Sequence, residues 1–182
     1  MRRTTLAAVG ATVALGILVA VFATTGWTGT GVSPAAQQPD RVAERLRTFD
    51  TLDFNVFSNQ KWDRLAESHA SDIAVTWPDG HETQGIARHI EDLKSMFVYA
   101  PDTRIAVHPI KFGSGDWTCV TGVTTGTFSH PMPTPDGKTI APTGKAFSVT
   151  MVTIGHWKGG VMDHEWLFWD NHEFMRQIGL VQ

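Results

Sequence analysis

The spacing of apolar residues changes at Pro101, and this change limits the folds open to the chain. Before it, apolar residues recur at helical intervals. After it, they alternate over long runs. From Asp40 to Gln60, Val42, Leu46, Phe49, Asp53 and Val56/Phe57 fall near a 3.6 period, and Asp40 is placed to cap the start. Lys61 to His69 reads as a second short helix, and Asp72 to Trp77 as a strand closed by the turn Trp77-Pro78-Asp79-Gly80. Gly85 to Tyr99 is helical again, with Ile86, Ile90, Leu93, Met96 and Phe97 on one side, and Pro101 ends it.

Beyond Pro101, Arg104–Phe112, Trp117–Phe128, Lys145–His156 and Val161–Trp169 read as strands. Gly113-Ser114-Gly115-Asp116 and Lys158-Gly159-Gly160 serve as hairpin turns. Pro131 to Thr143 is an excursion between two strands, and Asn171 to Ile178 a terminal helix. Helices followed by an antiparallel meander predict an α+β fold. The expected form is a curved antiparallel sheet packed against N-terminal helices and enclosing a small-molecule cavity.

The first 39 residues read differently. Arg2 and Arg3 precede an uncharged run from Leu6 to Ala23, whose eighteen residues would span roughly 27 Å as a helix. Residues 1–25 are therefore expected to be either a signal peptide or a membrane anchor, with the arginines cytoplasmic and the rest of the chain outside. The chain is accordingly expected to be exported, periplasmic or extracellular, or anchored to the membrane facing outside. Residues 26–39, rich in Gly, Thr, Ser, Pro, Ala and Gln, read as a flexible linker. Residues 40–182 form the working domain.

Composition narrows the partners. Lys and Arg total 15 against 18 Asp and Glu, a net charge of -3, which argues against nucleic-acid binding. One cysteine, Cys119, excludes an intramolecular disulfide and a cysteine-based metal site. Eight histidines are present, but no His-x-x-x-His or similar spacing, so neither a metal nor a cofactor is expected. Six of seven tryptophans fall after residue 40, and ten Phe accompany a single Tyr. This mostly apolar aromatic set suits a pocket for a small hydrophobic molecule, or a plain core.

Three stretches carry a family likeness. They are Trp77-Pro78-Asp79-Gly80 with Gly85 opening the next helix; Thr125-Gly126-Thr127-Phe128 with Pro142-Thr143-Gly144-Lys145; and Glu165-Trp166-Leu167-Phe168-Trp169-Asp170 with Gln177-Ile178-Gly179. On these, residues 40–182 resemble the SnoaL-like polyketide cyclase and ester cyclase group. That group belongs to the cone-shaped α+β fold named after nuclear transport factor two. Ketosteroid isomerase, scytalone dehydratase and limonene-epoxide hydrolase share the fold, and many of its members are not enzymes.

The resemblance implies a general acid/base aspartate before the terminal Gln-x-Gly, matched here by Asp170, with His164 or His156 assisting. Trp77, His81, Trp117, Trp166, Phe168 and Trp169 are the expected pocket residues. Strict alternation places Met162, His164, Trp166, Phe168 and Asp170 on one face. Asp170-Asn171-His172-Glu173 is also a capping-box pattern, which gives Asp170 a structural role. Asp chemistry would suit cyclisation, aldol or isomerisation of a small carbonyl compound without a cofactor. The alternative is a non-catalytic extracytoplasmic module that binds a hydrophobic ligand or forms a homodimer. The relatives' tyrosine-based chemistries are disfavoured, because Tyr99 is the single candidate.

Overall fold

The computed structural model describes residues 34–182, and side chains from residue 40 onward. The expected signal or anchor segment, and the linker as far as residue 33, lie outside the described residues. Among the described residues, no helix is long and apolar enough to cross a membrane.

Helix α1 spans Pro34–Thr51. It starts earlier than the apolar period suggested, so Asp40 lies inside the helix rather than capping it. Ala35, Ala36, Gln37 and Gln38 are good helix formers, and Pro34 suits a first helical position. The helix then widens into a π-helical turn, Leu52–Val56, and tightens into the 3-10 turn Phe57–Asn59. Gln60 closes that turn in the left-handed region, at φ 53°. The expected second helix is a 3-10 segment, Trp62–Glu67.

Strand β1 (His69–Thr76) leads through the Trp77 turn to β2 (Glu82–Gln84) and helix α2 (Ile86–Tyr99). The remaining main elements are β3 (Arg104–Ile105), β4 (Lys111–Ser114), β5 (Trp117–Thr127), β6 (Met132–Pro133), β7 (Thr139–Ile140), β8 (Ala146–Lys158), β9 (Val161–Phe168) and α3 (Asn171–Gln177). The Pro131–Thr143 excursion holds its own small β6–β7 hairpin.

The main sheet runs β2-β1-β9-β8-β5-β3, with β4 also on β5. The fold is α+β with a curved sheet, as the sequence predicts. One pairing departs from a purely antiparallel sheet: β1 lies parallel to β9, so the first strand closes against the last. The expected strand 104–112 also divides in two. Pro109 offers no N–H to a ladder, and the chain between the halves turns His108 inward beneath α1.

One face of the sheet carries the core. In β5 every second residue from Thr118 to Gly126 is buried. In β8, Phe147, Val149, Thr153, Gly155 and Trp157 are buried. Phe49, Leu52 and Val56 from the first helical stretch pack onto Ile73, Val75, Val120, Trp157, Met162 and Leu167. A second cluster, Ala100, Phe128, Phe147, Val149, Phe174 and Ile178, seats α3.

Strand β9 carries the feature that positions the site. Trp157 pairs with Met162 but His156 pairs with His164, so Asp163 is an extra residue in a β-bulge. The bulge shifts the inward face by one residue. Met162, Glu165 and Leu167 are buried, whereas His164 and Trp166 are half-buried and Phe168 is exposed. The strict alternation expected for this strand therefore fails at Asp163.

Candidate functional site

A cavity of about 180 Å³ lies between the core face of the sheet and the helices. Its wall is mostly apolar, with Leu52, Phe57, Trp77, Leu93, Met96, Ile105, Met151, Leu167 and Trp169 among its residues. Gly122 belongs to this wall, and a side chain there would crowd it. A Cβ at that position would come within 3.1 Å of Ile105 Cγ2 and 3.7 Å of Asp53 Oδ2. Polar groups enter from four directions: Asp53 from the π-helical turn, His69 from the start of β1, His89 from α2 and Glu165 from β9.

Asp53 is the inner end of a charge chain. His108, whose side chain is 1% exposed, donates from Nε2 to Asp53 Oδ2 (2.7 Å) and from Nδ1 to Asp50 Oδ1 (2.8 Å). Lys111 Nζ donates to Asp50 Oδ1 at 2.7 Å. Burial pushes the Asp53 carboxyl above its ordinary value, more than His108 pulls it down, and nearby Glu165 adds to the rise. Burial opposes the imidazolium of His108, but Asp53 and Asp50 outweigh it and raise that pKa. Burial also acts to raise Asp50, yet Lys111 and His108 hold it below the usual carboxylate range.

This chain has a pH signature. A raised His108 pKa contributes stability that is complete below about 6.5 and lost as pH rises through the folded value. A lowered Asp50 pKa contributes stability above about 3.8, lost as pH falls through the folded value. The bridge therefore stabilises most in mildly acidic solution. His108→Gln is expected to cost most stability near pH 5–6 and progressively less at higher pH. Urea unfolding of both proteins across this range checks it; a pH-independent difference would remove the charged bridge from the account.

Across the cavity stand His69, His89 and Glu165, each with no more than 5% exposure. Glu165 Oε2 lies 3.7 Å from His69 Nε2 and 3.3 Å from His89 Nε2. Ser68 Oγ donates to the Leu65 carbonyl. This leaves His69 Nδ1–H to donate to Ser68 Oγ (2.9 Å) and the same carbonyl (3.2 Å). The assignment follows from the hydrogen-bond network and leaves a lone pair on Nε2. Burial lowers the His89 pKa to about 4, so that imidazole is neutral at pH 7. Burial opposes charge on Glu165, but the imidazolium form of the flanking histidines, with a proton on His69 Nε2, holds its carboxyl below the ordinary value. Tyr99 also lines the cavity, and burial pushes its phenol up to about 12, so it remains a hydrogen-bond donor.

Of the residues singled out in the sequence, Trp77 and Trp169 line this cavity. Trp77 is held by a 2.9 Å bond from Nε1 to Thr83 Oγ1, and its ring meets Trp169 edge-on, centroids 6.3 Å apart. His81 lies outside the lining, exposed, bonded to Asp79 and stacked on Trp77. The bulge places His164, Trp166 and Phe168 of β9 on the opposite face of the sheet, beside His156 of β8 and Trp117 of β5. There His164 stacks on Trp166 at 3.5 Å and bonds Thr76, while His156 bonds Asp163. Trp117 touches both His156 and Trp166, and Phe168 is 47% exposed.

Asp170 stands at the N-cap of α3, exposed, its Oδ1 accepting from the Glu173 amide at 2.9 Å. It does not line the cavity. Asp170→Ala is expected to cost about 1 kcal/mol of stability. Ligand binding in the cavity should be unchanged. A urea titration beside a dye-binding curve checks both, and a binding loss larger than the stability loss would return Asp170 to the site.

The polar groups of the cavity left signals in the sequence. Asp53 interrupts the apolar stripe of α1 and its extension. His89 lies three residues after Ile86 and four before Leu93, on the inner face of α2. A polar side chain on an apolar face marks either a satisfied core group or a site. Glu165 left no such signal, because the bulge that turns it inward is invisible to alternation.

The comparisons with known proteins agree with this fold. Among solved structures, the SnoaL-like protein of Jannaschia sp. CCS1 is 20% identical with a TM-score of 0.67, covering 85% of this chain and 100% of its own. IdmH of Streptomyces antibioticus, a proposed polyketide cyclase, is 20% identical with a TM-score of 0.63, covering 74% and 98%. A Catenulispora acidiphila protein with a ketosteroid-isomerase-like fold, solved with trimethylamine, is 13% identical with a TM-score of 0.59, covering 76% and 95%. At these identities the likeness establishes the fold. No sequence match is found among curated proteins. Residues 38–178 match the family profile described as SnoaL-like polyketide cyclase, and the chain belongs to that family.

Proposed function

We propose that the protein is a general acid/base catalyst acting on a small hydrophobic carbonyl compound, with Asp53 as the base. The observation that carries this reading is a largely buried carboxyl with a raised pKa, set in an apolar cavity and backed by His108. Proton abstraction next to a carbonyl is fastest when the base has a pKa near the working pH, and burial moves Asp53 in that direction. Its Oδ2 is held by His108, which leaves Oδ1 for the substrate proton.

The enolate so formed needs donors on its oxygen. Tyr99, which lines the same cavity, supplies a phenol for this. If a second carbonyl of the same molecule lies within reach, the enolate carbon attacks it. A carbon–carbon bond forms, and the new alkoxide takes up a proton: an aldol cyclisation. If the proton instead returns to a different carbon, the outcome is isomerisation. The uncharged run Leu6–Ala23 behind Arg2 and Arg3 supports an extracytoplasmic setting for this chemistry.

Proton exchange tests the reading without knowledge of the natural substrate. Cyclic and aryl ketones are incubated with the full chain in D2O, and loss of their α-proton signals is followed by NMR. Enzyme-dependent exchange of at least one ketone is expected. Binding of an apolar dye in the cavity with no exchange of any ketone would favour the ligand-carrier reading.

A further inference from the structure

The inner wall of the cavity holds a polar group that hydrogen bonding leaves unfinished. Glu165 Oε2, His69 Nε2 and His89 Nδ1 are buried and have no hydrogen-bond partner. In an apolar setting each such atom costs free energy, and a buried carboxylate oxygen costs most. Each such group calls for an explanation, and a bound ion is one. The three side chains come from β1, α2 and β9, so the fold itself brings them together.

We propose that His69, His89 and Glu165 bind a divalent first-row transition-metal cation, with its open positions facing the cavity. One nitrogen or oxygen from each residue lies within 4.8 Å of those from the others. From Glu165 Oε2 the separations are 3.7 Å to His69 Nε2 and 3.3 Å to His89 Nε2, so His89 would ligate through Nε2 and its unpartnered Nδ1 is a separate atom. Ligands at about 2.0–2.1 Å from a zinc-sized ion sit roughly 3.3 Å apart on neighbouring tetrahedral corners. The two carboxylate–imidazole separations lie at or near that spacing, and the third is within 4.8 Å.

The second layer fits as well. Metal-bound histidines commonly donate their other N–H to a carbonyl oxygen, which aims the lone pair. His69 does this through Nδ1 to the Leu65 carbonyl. Two imidazoles and one carboxylate, with no thiolate, suit zinc, iron or manganese rather than copper(I). Three protein ligands leave positions for water or a substrate oxygen. The cavity beyond them is where such an oxygen would sit, between the metal and Asp53.

The proposal deepens the acid/base reading by naming what faces Asp53, but its test does not depend on that reading. The full-length protein is stripped with chelator, dialysed and titrated with Zn(II) and with Co(II). One equivalent per chain is expected, with visible d–d bands for Co(II) and a higher Tm with Zn(II). His69→Ala and Glu165→Gln should each weaken binding by at least 10- to 100-fold. His156→Ala, at a surface His–Asp pair on the other face of the sheet, should not change it.

A wild-type measurement guards against variants that fail to fold. In long-range 1H–15N spectra, Zn(II) should move the ring signals of His69 and His89 and leave those of His156 and His81 in place. Absence of stoichiometric uptake overturns the proposal, as does uptake that shifts His156 or His81 instead. If ketone exchange persists in chelator-stripped protein that takes up no metal, this proposal fails while the Asp53 reading stands.

Discussion

Asp53→Asn is expected to slow enzyme-dependent α-proton exchange by about 10²- to 10⁴-fold, the range a positioned general base supplies. The substitution keeps the shape of the side chain, and the amide oxygen can still accept from His108 Nε2. What it removes is the group that takes the proton. The wild-type pH profile should rise through a pKa above the ordinary aspartate value, because burial raises Asp53. In the variant this limb should vanish. His108, having lost one of its two carboxylates, should titrate at lower pH, which histidine NMR would report independently. Asp170→Asn serves as the contrast, since Asp170 caps α3 outside the cavity. Exchange at the wild-type rate in Asp53→Asn, with loss in Asp170→Asn, would move the base to the helix cap.

Trp157→Ala carries the largest expected effect on stability, about 3–5 kcal/mol. Trp157 is 1% exposed. It sits where the first helix, β5 and β8 meet. Its ring packs edge-on to Phe49 at 6.2 Å, and its Nε1 donates to Thr118 Oγ1 at 2.8 Å. Truncation opens a void against Phe49 and leaves the Thr118 hydroxyl without this donor. Gly155 beside it shows how little room the neighbourhood has, since a Cβ there would come within 2.6 Å of Met162 Sδ. Urea unfolding should show a lower midpoint at unchanged slope. Thermal unfolding should fall by roughly 10 °C or more for a domain of this size. A loss below about 1 kcal/mol would mean that the surrounding core collapses into the space.

Several parts of the fold were legible because they depend on neighbouring residues. Helix α2 follows from its 3.6 period and from Pro101. The turn at Lys158-Gly159-Gly160 follows from two glycines, both of which adopt positive φ (61° and 94°). The α3 cap follows from Asp170 and Glu173 three residues apart. Trp77 and Trp169 line the cavity, whereas Trp117 and Phe168, also at strand ends, stand exposed on the other face.

The site itself depended on tertiary structure. Asp163 bulges out of β9, and a shift of one residue exchanges the two faces of a strand. This single irregularity sends His164 and Trp166 to the outer surface and brings Glu165 into the cavity. Pro109 breaks the strand expected over 104–112, and the break lets His108 turn in to join Asp50 and Asp53. The parallel pairing of β1 with β9 brings His69 beside Glu165, although they are far apart in the chain. Sequence by itself determined which segments coil and which extend, because local periodicity and turn chemistry govern that choice. Only tertiary structure decided which carboxylates and imidazoles meet, because a bulge and a long-range strand pairing have no local period to announce them.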